Sequence, residues 1–145
     1  MRLKIYAPLD LLPLGHPIDL LIPFVGSTNA EFGTGKILAN TFATYSDNAD
    51  KYFEFTSIDD CDAALLPIWY QVSDNNQEFK QKIQPFIDLT VLKNKRVIIF
   101  LETFVEDYNI ELKNAIIFTK AISKSNQQNN AYSFPLFFED YISFY

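Results

Sequence analysis

Short apolar runs separated by polar segments predict five strands in this chain. Leu3-Lys4-Ile5-Tyr6-Ala7 alternates apolar and polar residues before Pro8, which is typical of a strand. The run from Ala63 to Ile68 is apolar throughout and indicates a strand that is covered on both faces. The five predicted strands cover residues 3–7, 51–56, 63–68, 96–101 and 115–119.

Two segments have the spacing of amphipathic helices. Between Asp74 and Leu92 the apolar residues recur at steps of three and four, with Asp74 placed to cap the helix and Pro85 expected to kink it. Residues 36–44 predict a second, shorter helix. Residues 8–31 contain four prolines and two glycines, so we expect a long functional loop there with one short turn of helix.

The order of these elements predicts the fold class. Strands that are apolar on both faces need helices on both sides, so we expect a three-layer, open α/β sheet of about five mainly parallel strands, similar to the Rossmann fold. At 145 residues the chain is expected to form one domain, residues 1–145. Ligands of such sheets bind beyond the carboxyl ends of the strands, which are predicted near residues 7–10, 68–70, 101–103 and 119–125.

Composition excludes several classes of function. The net charge of −6 disfavours nucleic acid as a partner, because an acidic surface repels phosphate backbones. The chain has one cysteine and one histidine, too few for an internal disulfide, a multi-thiolate zinc site or a site with two imidazoles. No run approaches 18 apolar residues and no signal-like segment begins the chain, so we expect no membrane span and a cytoplasmic location.

Gly33-Thr34-Gly35-Lys36 has a partial likeness to a phosphate-binding loop. That loop needs a glycine five residues before its last glycine and a hydroxyl residue after the lysine. Those positions hold Ala30 and Ile37. We interpret the segment as a turn that begins a helix.

Asp60-Cys61-Asp62 matches the Asp-x-Asp triplet with which many metal-dependent sugar transferases hold a divalent ion. In those enzymes the triplet follows a strand, whereas here it immediately precedes one. The carboxylates are therefore expected at the opposite edge of the sheet, in a solvated turn, and we predict no metal site.

The remaining candidates for a site follow the predicted strands. His16, flanked by Asp10 and Asp19, is a candidate general base, and Asp10 and Glu102 are further candidates; the alternative for His16 and for Glu102 is a structural or merely exposed side chain. Trp69 and Tyr70 have aromatic faces that suit stacking against a sugar ring. Core packing is the favoured interpretation of Trp69, so Tyr70, at the end of the strand, is the better ligand candidate. Lys120 and Ser123 follow the last predicted strand and are candidate substrate-binding residues.

Four segments taken in order resemble the N-terminal half of exostosin-like glycosyltransferases. They are Ser57-Ile-Asp-Asp-Cys-Asp-Ala-Ala-Leu-Leu-Pro-Ile-Trp-Tyr70, Lys95-Arg-Val-Ile-Ile-Phe100, Ala115 to Lys120, and Pro135-Leu-Phe-Phe-Glu-Asp140. The resemblance spans roughly residues 50–145. Ala131 and Lys120 stand where the family pattern has an acidic residue and an arginine.

The resemblance implies the acceptor-side domain of an enzyme with two facing α/β domains, acting on a glycan or glycolipid. The nucleotide-sugar donor would occupy mostly the second domain, so this chain alone is expected to be inactive and to need no cofactor of its own. The alternative is a non-catalytic binding or assembly module. Seven of the fourteen residues in 132–145 are aromatic, which predicts contact with a second domain, a partner chain or another copy; a final helix packed on the sheet is the competing interpretation.

Overall fold

Six parallel strands form one open sheet in the order β2-β1-β3-β4-β5-β6. The computed structural model describes residues 2–25, 43–70, 77–101, 114–119 and 130–133. The strands are β1 (Leu3–Tyr6), β2 (Phe53–Phe55), β3 (Ala63–Leu65), β4 (Val97–Phe100), β5 (Ala115–Thr119) and β6 (Ala131–Ser133). The predicted open α/β sheet of parallel, Rossmann-like type is confirmed, and every strand pair in it is parallel.

Two strand predictions are wrong at their ends, and one strand was not predicted. Residues 51 and 52 belong to a helical turn, Ala49–Tyr52, so β2 begins only at Phe53. Regular pairing of β3 ends at Leu65, two residues before Pro67, which has no N–H to donate to a neighbouring strand. The sixth strand, Ala131–Ser133, has only three residues and follows a polar stretch, so no alternating pattern marks it in the sequence.

The helices that the structure describes are short, with one exception. The long helix runs from Gln77 to Leu92 and continues through Pro85. Its buried residues, which include Phe79, Ile83 and Ile87, follow the predicted spacing. Asp74, most of the predicted helix 36–44 and Gly33-Thr34-Gly35-Lys36 lie outside the described residues.

The loop that follows β1 is more ordered than its prolines indicate. It contains 3₁₀ helices at Leu9–Leu14 and Asp19–Leu21 and a helical turn at Ile22–Val25. Leu11 and Ile18 are buried, so the loop contributes to the core. None of the helices in the described part of the chain is long and apolar enough to cross a membrane.

The sheet separates two apolar clusters. The first cluster contains buried residues of the long helix together with Ala64, Val97 and Ile117 on one face of the sheet. The second contains Ile5, Leu65 and Phe100 on the other face, and Ile18 and Leu21 from the loop after β1. Leu65 and Leu66 are both buried, on opposite faces, which confirms the prediction that this run is covered on both sides.

The amino ends of five neighbouring strands are joined by side-chain hydrogen bonds. Each bond links a residue at the start of one strand to a residue at the start of the next strand in the sheet. The bonds run from the Lys4 N–H to Asp62 Oδ2 (2.8 Å), from Lys95 Nζ to the Cys61 carbonyl (2.7 Å), from Asn114 Nδ2 to the Lys95 carbonyl (2.9 Å), and from Asn130 Nδ2 to the Ala115 carbonyl (3.1 Å). This amino-edge ladder aligns the strands and thereby positions the opposite edge.

The long helix ends next to the same ladder. Asn94 has a positive φ of 51° in the left-handed region, and the N–H groups of Asn94 and Lys95 bond back to the carbonyls of Val91 and Thr90. This pairing is the Schellman arrangement that ends many helices. It turns the chain sharply enough for Lys95 to reach the turn before β3.

Candidate functional site

The strands of the sheet are all parallel, but the direction in which successive strands are added to it reverses between β1 and β3. From β1 the chain passes to β2 on one side, and then returns to β3 on the other side of β1. In open parallel sheets, ligands bind at such a reversal, beyond the carboxyl ends of the strands. The candidate site is therefore the carboxyl edge where β1 and β3 end.

The segment after β3 forms a bulge at this edge. Leu65 pairs with Ile98, and the next pair is Tyr70 with Leu101. Between these two pairs the chain advances five residues after β3 but only three residues along β4. A regular ladder would place the N–H of residue 68 on the Phe100 carbonyl, yet the Tyr70 N–H takes this position at 2.7 Å. Two extra residues are thereby displaced from the sheet next to Pro67.

The displaced residues pair with the loop that follows β1. Pro17 and Ile68 form an antiparallel bridge. On either side of it, the Trp69 N–H donates to the His16 carbonyl at 3.0 Å and the Ile18 N–H donates to the Pro67 carbonyl at 3.1 Å. This short edge ladder, residues 16–18 with 67–69, lies where the chain reverses and holds His16 beside Trp69.

The two candidate aromatic residues lie on opposite faces of the sheet. Trp69 packs with the second cluster and meets Phe100 edge to face, with ring centroids 5.9 Å apart. Tyr70 packs with the first cluster and meets Phe79 edge to face at 5.6 Å. Both side chains are half-buried. One sugar ring therefore cannot stack on both residues.

An aromatic row continues from Trp69 across the sheet. Phe100 stacks on Phe118 with centroids 5.1 Å apart, and Phe118 meets Tyr132 at 6.0 Å. The three residues are neighbours in register on β4, β5 and β6. The indole of Trp69 thus belongs to a row of aromatic contacts across the sheet, and its contact with Phe100 agrees with core packing, the favoured interpretation of Trp69.

Burial changes the acidity of the Tyr70 hydroxyl. The half-buried position raises its pKa above the ordinary value, because loss of water disfavours the phenolate. The hydroxyl therefore stays protonated at neutral pH and can donate a hydrogen bond. Among the described residues, none has a side-chain hydrogen bond with it.

The candidate bases are not brought together into a catalytic pair. Asp10 lies on the 3₁₀ helix Leu9–Leu14, and His16 lies two residues beyond that helix; both side chains are exposed. No hydrogen bond or ion pair joins Asp10, His16 and Tyr70 within the part of the chain that the structure describes. Glu102, Lys120 and Ser123 lie outside the described residues.

The Asp60-Cys61-Asp62 triplet lies at the opposite edge, as its position before a strand predicted. Asp62 accepts the Lys4 N–H, and Asp60 accepts the Ser57 hydroxyl at 2.8 Å. Cys61 is buried, its thiol donates to the Ile58 carbonyl, and burial raises its pKa. In the described ranges no three His, Cys, Asp or Glu side chains form a group that could hold a metal ion.

The sequence alone did not indicate the edge ladder. The two prolines, Pro17 and Pro67, are the signal that could have indicated it, because proline is excluded from regular strand pairing and is found at bulges.

Comparison of the chain with protein-family models, with curated proteins and with solved structures gave no match.

Proposed function

We propose that this chain is the acceptor-side domain of a glycosyltransferase that acts on a glycan or glycolipid. The observation that carries the proposal is the edge ladder, which places His16 beside Trp69 at the reversal between β1 and β3. The resemblance of residues 50–145 to exostosin-like enzymes supports the same assignment. The donor nucleotide sugar would be bound by a second domain or a partner chain.

The residue types at this edge suit a sugar acceptor. An aromatic ring gives a sugar a flat apolar surface for its C–H face, and an imidazole group hydrogen-bonds its hydroxyls. In an inverting transfer a base within about 3 Å takes the proton of the acceptor hydroxyl while the oxygen attacks the anomeric carbon and the nucleoside diphosphate leaves. His16, Asp10 and Glu102 are the proposed sources of that base.

The first test measures acceptor binding and turnover separately. The purified chain of 145 residues is titrated with neutral oligosaccharides by calorimetry and is then incubated with these acceptors and a panel of nucleotide sugars. We expect weak, saturable binding of at least one oligosaccharide and no transfer. Transfer or hydrolysis catalysed by the chain alone would contradict the need for a second domain, and absence of any saccharide binding would overturn the acceptor role.

A non-catalytic binding or assembly module is the second candidate. No hydrogen bond or ion pair joins Asp10 to His16 in the described part of the chain, which favours this candidate because a catalytic base is commonly oriented by a hydrogen-bonded neighbour. Co-elution with separately expressed candidate partners, combined with absence of saccharide binding, would support this alternative.

A further inference from the structure

The edge ladder determines which aromatic residue lies beside His16. In a two-stranded antiparallel ladder the side chains alternate between its two sides, and residues directly opposite each other share a side. Pro17 is opposite Ile68, so position 16 is opposite Trp69 and position 18 is opposite Pro67. Ile18 and Trp69 both pack in the second cluster whereas Ile68 packs in the first, which agrees with this alternation.

Tyr70 lies on the other side of the sheet. It belongs to the first cluster with Ile68 and contacts Phe79 of the long helix. A ligand held by His16 therefore meets the indole of Trp69 and not the ring of Tyr70. The indole meets Phe100 edge to face, and the main-chain bond to His16 keeps the two residues next to each other.

The residue types around this pair indicate the class of ligand. Residues 8–25 and 66–70, the described residues around the pair, contain no lysine or arginine. Phosphate and carboxylate groups are commonly held in proteins by arginine or lysine. The described surroundings of the pair therefore suit an uncharged ligand whose recognition depends on stacking and on hydrogen bonds to hydroxyls.

From these observations we infer that His16 and Trp69 form one subsite for a neutral saccharide, on the face of the sheet opposite the long helix. The indole of Trp69 stacks on the C–H face of the ring, and the imidazole of His16 hydrogen-bonds a ring hydroxyl. This inference rests on the proposed acceptor role and assigns the residues of its site.

The composition of the chain makes the subsite directly observable. Trp69 is the only tryptophan, so intrinsic indole emission reports this residue alone. The probes are methyl α-mannoside, methyl β-galactoside, cellobiose and lactose, with glucose 6-phosphate as the charged comparison. Binding is followed in parallel by Trp69 emission and by calorimetry, on the whole chain and on single variants.

We expect a saturable change in Trp69 emission with a neutral saccharide and none with glucose 6-phosphate. His16→Ala should weaken binding several-fold, His16→Gln should retain most of it because the amide also hydrogen-bonds, and Tyr70→Phe should bind as the parent chain does. Trp69→Phe, followed by calorimetry, should weaken binding several-fold. Circular dichroism of each variant confirms that it is folded.

Two results would overturn the subsite but not the acceptor role. One is binding by calorimetry without a change in Trp69 emission, and the other is a loss of saccharide affinity in Tyr70→Phe as large as that in His16→Ala. Equal or tighter binding of glucose 6-phosphate would overturn the neutral class of ligand. Absence of saccharide binding by both methods would overturn the acceptor role itself, and the subsite with it.

Discussion

The main-chain N–H of Trp69 donates a 3.0 Å hydrogen bond to the carbonyl oxygen of His16, which joins the one tryptophan and the one histidine of the chain. The two residues are 53 positions apart in the sequence, and strand β3 and the loop after β1 bring them together. The contact depends on the loop remaining attached to the sheet, and Ile18 is one of the buried apolar residues that anchor the loop.

Ile18→Ala is expected to weaken the edge ladder and expose Trp69 to water. Ile18 is only 1% exposed, and replacement of a buried isoleucine by alanine costs about 2–5 kcal/mol of unfolding free energy. Urea unfolding followed by circular dichroism measures this cost, and the native emission of Trp69 should move to longer wavelength. Leu9→Ala is the control, since Leu9 is 45% exposed and should change stability by about 0.5 kcal/mol or less. Equal effects of the two substitutions would contradict the anchoring role of Ile18.

The amino-edge ladder is expected to be a structural feature that stabilises the fold. Asn114 Nδ2 lies 2.9 Å from the Lys95 carbonyl and 3.1 Å from the hydroxyl of Thr90, and Thr90 is fully buried. Asn114→Ala should cost about 1–3 kcal/mol of unfolding free energy, because partly buried polar groups lose their partner. Urea denaturation measures the change.

The matched control for Asn114→Ala is Gln84→Ala. Gln84 also donates an amide hydrogen bond, to Asp88, but this pair is exposed on the surface of the long helix and should contribute about 0.5 kcal/mol or less. A double-mutant cycle of Asn114→Ala with Thr90→Val should show coupling between the two positions. Additive effects would mean that the hydrogen bond between them contributes nothing measurable.

Tyr45 is expected to make stability fall at alkaline pH. Its hydroxyl donates to the Leu20 carbonyl at 2.6 Å, and burial raises its pKa to about 12. An unfolded tyrosine ionises near pH 10, so this contribution is fully present below about pH 10 and is lost as the pH rises through about 12. The unfolding free energy measured from pH 9 to 12 should fall more steeply in the parent chain than in Tyr45→Phe, which has no hydroxyl to ionise. Identical slopes would contradict this assignment.

The aromatic end of the chain is expected to promote self-association. Ala131–Ser133 forms β6, which pairs with β5, so a chain that ends at Asn130 would lack a strand of the sheet. A chain that ends at Ser133 keeps the strand and removes only residues 134–145. Tyr132 remains 52% exposed at this edge.

Light scattering on the whole chain and on the chain ending at Ser133 tests this expectation. We expect the whole chain to form larger species at high concentration and the shortened chain to remain monomeric. A monomeric whole chain together with an unfolded shortened chain would show that residues 134–145 belong to the core.

The sequence by itself determined the class of fold and most of the core. The apolar runs around Ala64, Val97 and Ile117 and the helical spacing of Phe79, Ile83 and Ile87 follow periods that local geometry imposes, and the structure places these residues in one cluster. The position of Asp62 before a strand was likewise sufficient to place it at the amino edge.

Only the tertiary structure decided how the carboxyl edge is arranged. The bulge after Leu65 and the pairing of Pro67 with Ile18 depend on contact with the loop after β1. That loop lies about 50 residues earlier in the sequence, and no local period encodes the contact. Trp69 and Tyr70 lie on opposite faces, as successive residues of an extended chain do. The pairing of residues 16–18 with 67–69 then places only Trp69 beside His16. Backbone pairing between distant segments, and not proximity in the sequence, therefore determines which of these two residues shares a site with His16.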